Sequence, residues 1–204
     1  MSKVDVATER KDQIVRATVE CIAKYGYNNF SMQDVARTAG VSKGIIHYYF
    51  LNKDELMRSV LDKVAGDIGS VLEADIESIA DPIKKLETFI NIGFDIVQST
   101  KEYYQVNMDF WTQINQKEDV KNIIVSHYQK FRITAARIIS EGIVNNVFRK
   151  VDPIEYASYI IAVIDGLSLQ WLFDENAFNY DSLVKNITKE ILDNLIIKKD
   201  GQCN

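Results

Sequence analysis

Apolar residues recur along this chain at the three- and four-residue spacing of a single helix face, and nowhere in the strict alternation of a half-buried strand. After a polar lead, Ile14, Ala17, Cys21, Ile22 and Tyr25 predict a first helix from about Thr8 to Tyr25, and Gly26 stops it. Asn52, with Glu55 three residues later, is a capping signature that opens a long helix carried by Leu56, Val60, Val64, Ile68, Val71, Leu72 and Ile76. Continued to about Ile79, it is roughly 40 Å long at 1.5 Å per residue. Asp81-Pro82 restarts the chain with an acid as cap and proline at the first helical position, and Leu86, Phe89, Ile90, Gly93, Phe94 and Val97 carry that helix to about Ser99. Lys101 to Gln116 forms another, with Tyr104, Met108 and Trp111 on one face. Ile124, Tyr128, Phe131, Ala135 and Ile138 line a second long helix from about Glu118 to Asn145, which Asn145-Asn146 breaks because asparagine tolerates the left-handed region. Asp152-Pro153 repeats the cap-and-proline start. The helix that follows, to about Phe173, is apolar nearly all round and is expected to be buried on several sides. A last helix spans about Asp181 to Ile197, so the pattern predicts an all-α fold of about nine helices.

Phe30 to Phe50, FSMQDVARTAGVSKGIIHYYF, reads as a helix-turn-helix. Ser31 caps a helix starting at Met32, with Asp34 at the third helical position behind it. Gly40 can take positive φ to end that helix, and Val41 pins the corner. Ser42 caps a second, short helix whose Ile46 and Phe50 sit four apart and face inward. The opposite face carries Gly44, Ile45 and Tyr48, flanked by Lys43, His47 and Tyr49, and no acid. A cation, hydroxyls, an imidazole and a glycine that permits close backbone approach suit the major groove of DNA. A plain helical corner would use the same caps, but would expose two tyrosines and an isoleucine to no purpose.

Charge changes this picture only when the chain is divided. The net charge of −5 argues against a nucleic-acid partner, yet residues 1–63 carry ten Lys/Arg against eight Asp/Glu, and the remainder fourteen against twenty-one. The basic share lies with the helix-turn-helix. Cys21 and Cys203 make no disulfide framework, which points to a reducing cytosol. The most apolar stretch, Tyr159 to Phe173, is interrupted by Asp165, Gly166, Ser168 and Gln170. The sequence shows no charged-then-apolar N-terminal signal, so a cytoplasmic protein with no membrane partner is expected. With only His47 and His127 and no metal, phosphate-loop or nucleophile motif, neither catalysis, a metal nor a cofactor is expected.

Arg10, Ile14, Ala17, Tyr25-Gly26-Tyr27, Ser31-Met32, Val35-Ala36, Ala39 through Gly44, Tyr48-Tyr49-Phe50, Lys53 and Leu56 fall where the DNA-binding domain of the TetR family of bacterial one-component regulators has its pattern. The resemblance covers roughly the first 57 residues without a gap. The chain departs from it at Ile45, Ile46 and His47. Glu141-Gly142-Ile143, Phe148-Arg149, Val151-Asp152-Pro153 and Asp165-Gly166-Leu167 also look like one regulatory-domain subtype of that family.

The resemblance implies a DNA-binding domain over residues 1–52 and a helical ligand-binding and dimerisation domain over 53–204. It implies a homodimeric repressor on a palindromic double-stranded operator, released by a small-molecule inducer. Ser31, Ser42, Lys43, Gly44, Ile45, His47, Tyr48, Tyr49 and Lys53 are the expected DNA-binding residues, the serines, lysines and tyrosines among them at phosphates. Phe89, Tyr104, Met108, Trp111, Tyr128 and Phe131 serve equally well as core; the resemblance favours them as the lining of a pocket for a largely apolar inducer. Asp165 either contacts a ligand or ties two helices. Ser158, Ala162 and Gly166 repeat every four residues and make a smooth strip, the candidate dimer face with the last helix beside it. The competing function is a helical small-molecule binding module that regulates no promoter.

Overall fold

The computed structural model describes residues 3–26, 29–99, 108 and 117–198. Among them are eight helices: α1 (Lys3–Tyr25), α2 (Met32–Ala39), α3 (Lys43–Tyr49), α4 (Lys53–Glu77), α5 (Pro82–Ser99), α6 (Glu118–Val144), α7 (Pro153–Phe173) and α8 (Tyr180–Leu195). The helix expected over Lys101 to Gln116 lies outside the described residues except at Met108, which is helical. The fold is all-α, and the only β pairing among the described residues is an isolated antiparallel bridge between Phe148 and Ile196. α1 starts five residues before Thr8, because neither glycine nor proline stands in the polar lead to stop it.

Two compact units divide the chain. Unit one takes the described residues of Met1–Ile68 and Thr100–Ser126; unit two takes those of Gly69–Ser99 and His127–Asn204. α4 and α6 therefore each contribute to both.

Unit one closes α1, α2, α3 and the start of α4 around Ile14, Val35, Ile46, Phe50, Leu56 and Val60, all completely buried. Each such side chain contributes roughly 1.5–3 kcal/mol of transfer free energy. The first turn of α6 joins this core through Val120, with Ile123 and Ile124 packed against it. Lys117 and Asp119 pair with Asp54 and Arg58 of α4 at 2.6 and 3.2 Å.

Unit two packs Leu72 and Ile76 of α4 with Leu86, Ile90 and Phe94 of α5, Ala135, Ile138 and Ile139 of α6, Ile160 and Ile164 of α7, and Ile191 and Leu195 of α8. Tyr180 at the start of α8 donates from its hydroxyl to the Phe94 carbonyl, 3.1 Å, anchoring α8 to α5. Asn146 takes φ 54° behind α6, and Asp152 caps α7 through the amides of Ile154 and Glu155, as the local sequence predicts. After that turn, Phe148 is completely buried.

α7 corrects an expectation. Only one stripe of it, Ala157, Ile160, Ile161, Ile164 and Ser168, is buried. Ile154, Tyr159, Ala162 and Phe173 are exposed, since none of the described helices covers that side. By length and composition alone α7 could cross a membrane, but its buried stripe is part of the core of unit two.

Candidate nucleic-acid interface

α2 is held by a complete capping box. The Asp34 amide donates to Ser31 Oγ at 3.2 Å, and Asp34 Oδ2 accepts from the Ser31 amide at 2.9 Å and from its hydroxyl at 2.6 Å. These bonds, the Ser31 hydroxyl first, hold the Asp34 carboxyl below its ordinary value of 3.8, and Arg37 at 2.6 Å adds to the effect. Gly40 ends α2 at φ 65°, and the following Val41 amide donates back to the Ala36 carbonyl at 3.0 Å. Ser42 then caps α3, accepting from the Ile45 amide at 3.3 Å. Gln13 of α1 ties the corner down by donating to the Ala39 carbonyl at 2.7 Å.

With Ile46 and Phe50 completely buried, α3 has one possible outward face. Lys43, Gly44, His47 and Tyr48 are exposed on it, Tyr48 at 83%, and Ile45 is exposed at 37%. Tyr49 turns inward: it is half-buried, packs on the core of unit one and meets the Tyr48 ring edge to face at 5.1 Å. Ser31 and Ser42 are exposed, although both hydroxyls already serve as caps. Lys53 differs from the other predicted contacts. It is half-buried, its ammonium donating to the Phe30 carbonyl at 3.0 Å and lying 3.9 Å from the centre of the Phe30 ring.

The predicted ligand residues are not all brought together. Tyr104 and Trp111 lie outside the described residues, and Met108, half-buried, belongs to unit one. In unit two, Phe89 is 3% exposed within the core, the environment of a packing residue, while Phe131 is half-buried against that core. Tyr128 donates its hydroxyl to Asp165 Oδ2 at 2.8 Å, so the acid that interrupts α7 ties it to α6. Burial pushes the Asp165 pKa up, and the Tyr128 hydrogen bond only partly offsets this. The apolar run around Asp165 is the signal that flags it in the sequence; its partner is visible only in the fold. A separate open groove of about 560 Å³ lies between α5 and α8, with Asn91, Asp95, Lys185 and Thr188 along it. None of the predicted ligand residues that are described lines it.

On the predicted dimer strip, Ser158 is half-buried and accepts from Arg132 Nε at 2.9 Å, Ala162 is exposed, and Gly166 has nothing within 4 Å of where a Cβ would stand. Among the described residues, no group of three or more His, Cys, Asp or Glu could hold a metal ion.

Comparison with known proteins agrees with this geometry. Residues 14–60 match the family described as bacterial regulatory proteins, tetR family, and residues 82–196 the family described as BetI-type transcriptional repressor, C-terminal. The HTH-type transcriptional regulator BetI of Pseudomonas fluorescens is 26% identical over 206 residues, covering 98% of this chain and 100% of the relative. That of Proteus mirabilis is 25% identical over 207 residues, covering 95% and 94%. Among solved structures, a TetR transcription regulator from Haloarcula marismortui superposes with a TM-score of 0.85 at 20% identity, covering 93% of this chain and all of the other. A transcriptional regulator from Saccharomonospora viridis, in complex with choline, does so at 0.84 and 24% identity, covering 94% and 100%. With an exposed recognition helix on a capped turn, and matches to both family descriptions across most of its length, the chain belongs to the TetR family of bacterial DNA-binding transcriptional regulators.

Proposed function

We propose that this regulator binds a palindromic double-stranded operator as a homodimer and represses transcription until a small molecule releases it. One observation carries the DNA half: α3 exposes Lys43, Gly44, Ile45, His47 and Tyr48 and no acid, while Ile46 and Phe50 hold it to its core. Lys43 suits a phosphate, Ile45 a thymine methyl, and Gly44 the close approach of backbone to the groove wall. Ser31, Ser42 and Tyr49 flank this face as further backbone contacts. The test is a gel shift with DNA flanking the protein's own coding region. A shift that a specific duplex competes away, and an unrelated duplex does not, is the expected outcome. No shift at any site leaves a small-molecule binding module as the function.

The dimer reading rests on α7, whose Tyr159, Ala162 and Phe173 are exposed and whose Gly166 has open space where a Cβ would stand. A second copy packing Ser158, Ala162 and Gly166 against its own strip would cover this side. Light scattering should then report a dimer for the natural protein and a monomer for Gly166→Leu.

The inducer is assigned to unit two, where Tyr128 and Phe131 offer stacking area for a largely apolar molecule. The half-buried Asp165 favours a second form of this reading, in which the apolar ligand carries a cationic head that offsets the carboxylate's desolvation. The choline complex of the Saccharomonospora viridis regulator supports that form. Titration with choline and with its neutral carbon isostere separates the two: a charged ligand favoured over its isostere, with the preference lost in Asp165→Asn, selects the second. α4, which has residues in the cores of both units, is the proposed carrier of the response to α3.

A further inference from the structure

We propose that Lys53 is a positioning residue of the DNA-binding unit, acting through Phe30 on the start of α2, and not a phosphate contact. Lys53 is the first residue of α4, where a cation faces the positive end of the helix dipole and is disfavoured unless a local partner compensates. Phe30 provides that partner twice. Its carbonyl accepts from Lys53 Nζ at 3.0 Å, and the ammonium lies 3.9 Å from its ring centre, well within cation–π range. The ring itself is 4% exposed and set in the core of unit one, so it is a fixed anchor.

Phe30 immediately precedes Ser31, the N-cap of α2. The clamp therefore joins the first residue of α4 to the entry of the helix that leads into the recognition turn, and it holds the backbone from which the Ser31–Asp34 capping box is built. Burial lowers the Lys53 pKa against the opposing pull of Asp54, which agrees with an ammonium committed to the protein. Reaching a phosphate would mean giving up both contacts with Phe30. Lys43, exposed at the start of α3, has no such commitment to any described residue and is the natural comparator.

The inference rests on DNA binding through α3, and its test keeps the two questions apart. Affinity of the full chain for a duplex carrying its own upstream sequence is measured across a range of salt concentrations for the natural protein, Lys53→Met, Lys53→Gln and Lys43→Met. A lost phosphate contact lowers the slope of log affinity against log salt by about 0.9. Lys43→Met should show that drop. Lys53→Met should bind severalfold more weakly with its slope nearly unchanged, and Lys53→Gln, which keeps an N–H donor for the Phe30 carbonyl, should recover part of the loss. Exchange of the Asp34 and Val35 amides, which donate to Ser31, should quicken in Lys53→Met and stay as in the natural protein in Lys43→Met. A slope drop in both Lys53 variants equal to that of Lys43→Met, with exchange at α2 unmoved, overturns the proposal. If the natural protein binds no duplex, DNA recognition has failed and the exchange comparison alone decides the clamp. If Lys53→Met does not fold, Lys53→Gln carries both measurements.

Discussion

Gly40 in unit one and Gly142 in unit two both stand at the end of a helix, and a side chain is excluded from each for a different reason. At Gly40 there is open space: nothing lies within 4 Å of a built Cβ, and the constraint is φ 65°, which L side chains rarely adopt. At Gly142, in the last turn of α6, the backbone is ordinary and the space is taken. A Cβ there would stand 2.0 Å from Cδ2 of Phe148, whose amide, with that of Val147, donates to the Gly142 carbonyl as the chain folds back. One glycine answers a local dihedral angle, the other a ring that arrives through tertiary folding. The units share the contrast in part: the first builds its recognition turn from caps between near neighbours and ties it down with Gln13 on the Ala39 carbonyl, while the second depends on contacts such as Tyr128 with Asp165 and Lys85 with Glu141, tens of residues apart.

The largest effect expected from this contrast is that of Gly142→Ala. Because Phe148 is completely buried and three of its ring atoms would lie within 2.7 Å of the new Cβ, the variant should lose about 3 kcal/mol in urea denaturation. A loss near zero would show that the ring gives way and that unit two is not tightly packed there. Gly40→Ala should cost less, about 1–2 kcal/mol, because only the left-handed backbone is penalised. Gly40→Asn should recover part of this, since asparagine tolerates that region; equal costs for the two variants would break the dihedral explanation.

On the exposed face of α3, substitutions should leave stability within about 0.5 kcal/mol and act on DNA alone. Ile45→Thr should change base preference at one position per half-site by about 1 kcal/mol, read by binding-site selection. An unchanged preference would remove Ile45 from the groove.

The smallest effect separates the units by the sign of their pH dependence. Asp34 has a folded pKa below 3.8, so its stabilisation is present above that value and is lost as pH falls below it. Asp165 has a folded pKa above 3.8; the folded state binds the extra proton between the two values, and stability falls as pH rises through that window. Asp165→Asn should therefore melt higher than the natural protein at neutral pH and lose that advantage as pH approaches 3.8. Asp34→Asn should instead flatten the loss on the acid side. Matching pH profiles for the two variants would erase the distinction between a local cap and a tie between distant helices.

What the sequence determined by itself was whatever depends on neighbours a few residues apart. The Ser31–Asp34 capping box, the positive φ of Gly40, the Ser42 cap, the left-handed Asn146 and the Asp152-Pro153 start are all interactions closed within four residues, so residue type and spacing are enough to specify them. The outward face of α3 follows from the same spacing once Ile46 and Phe50 point inward. Tertiary structure alone decided the rest. Phe89 has the same aromatic character in a core as at a pocket wall, and only the packing of unit two buries it. An apolar surface all round α7 says that it seeks cover, but not which stripe the described core will bury. Lys53 sits at a family position expected to face phosphate, yet its ammonium reaches Phe30, 23 residues earlier in the chain, because folding brings a carbonyl and a ring face to the start of α4. Local periodicity cannot encode such choices, since each depends on which distant residue the fold packs into the same volume of space.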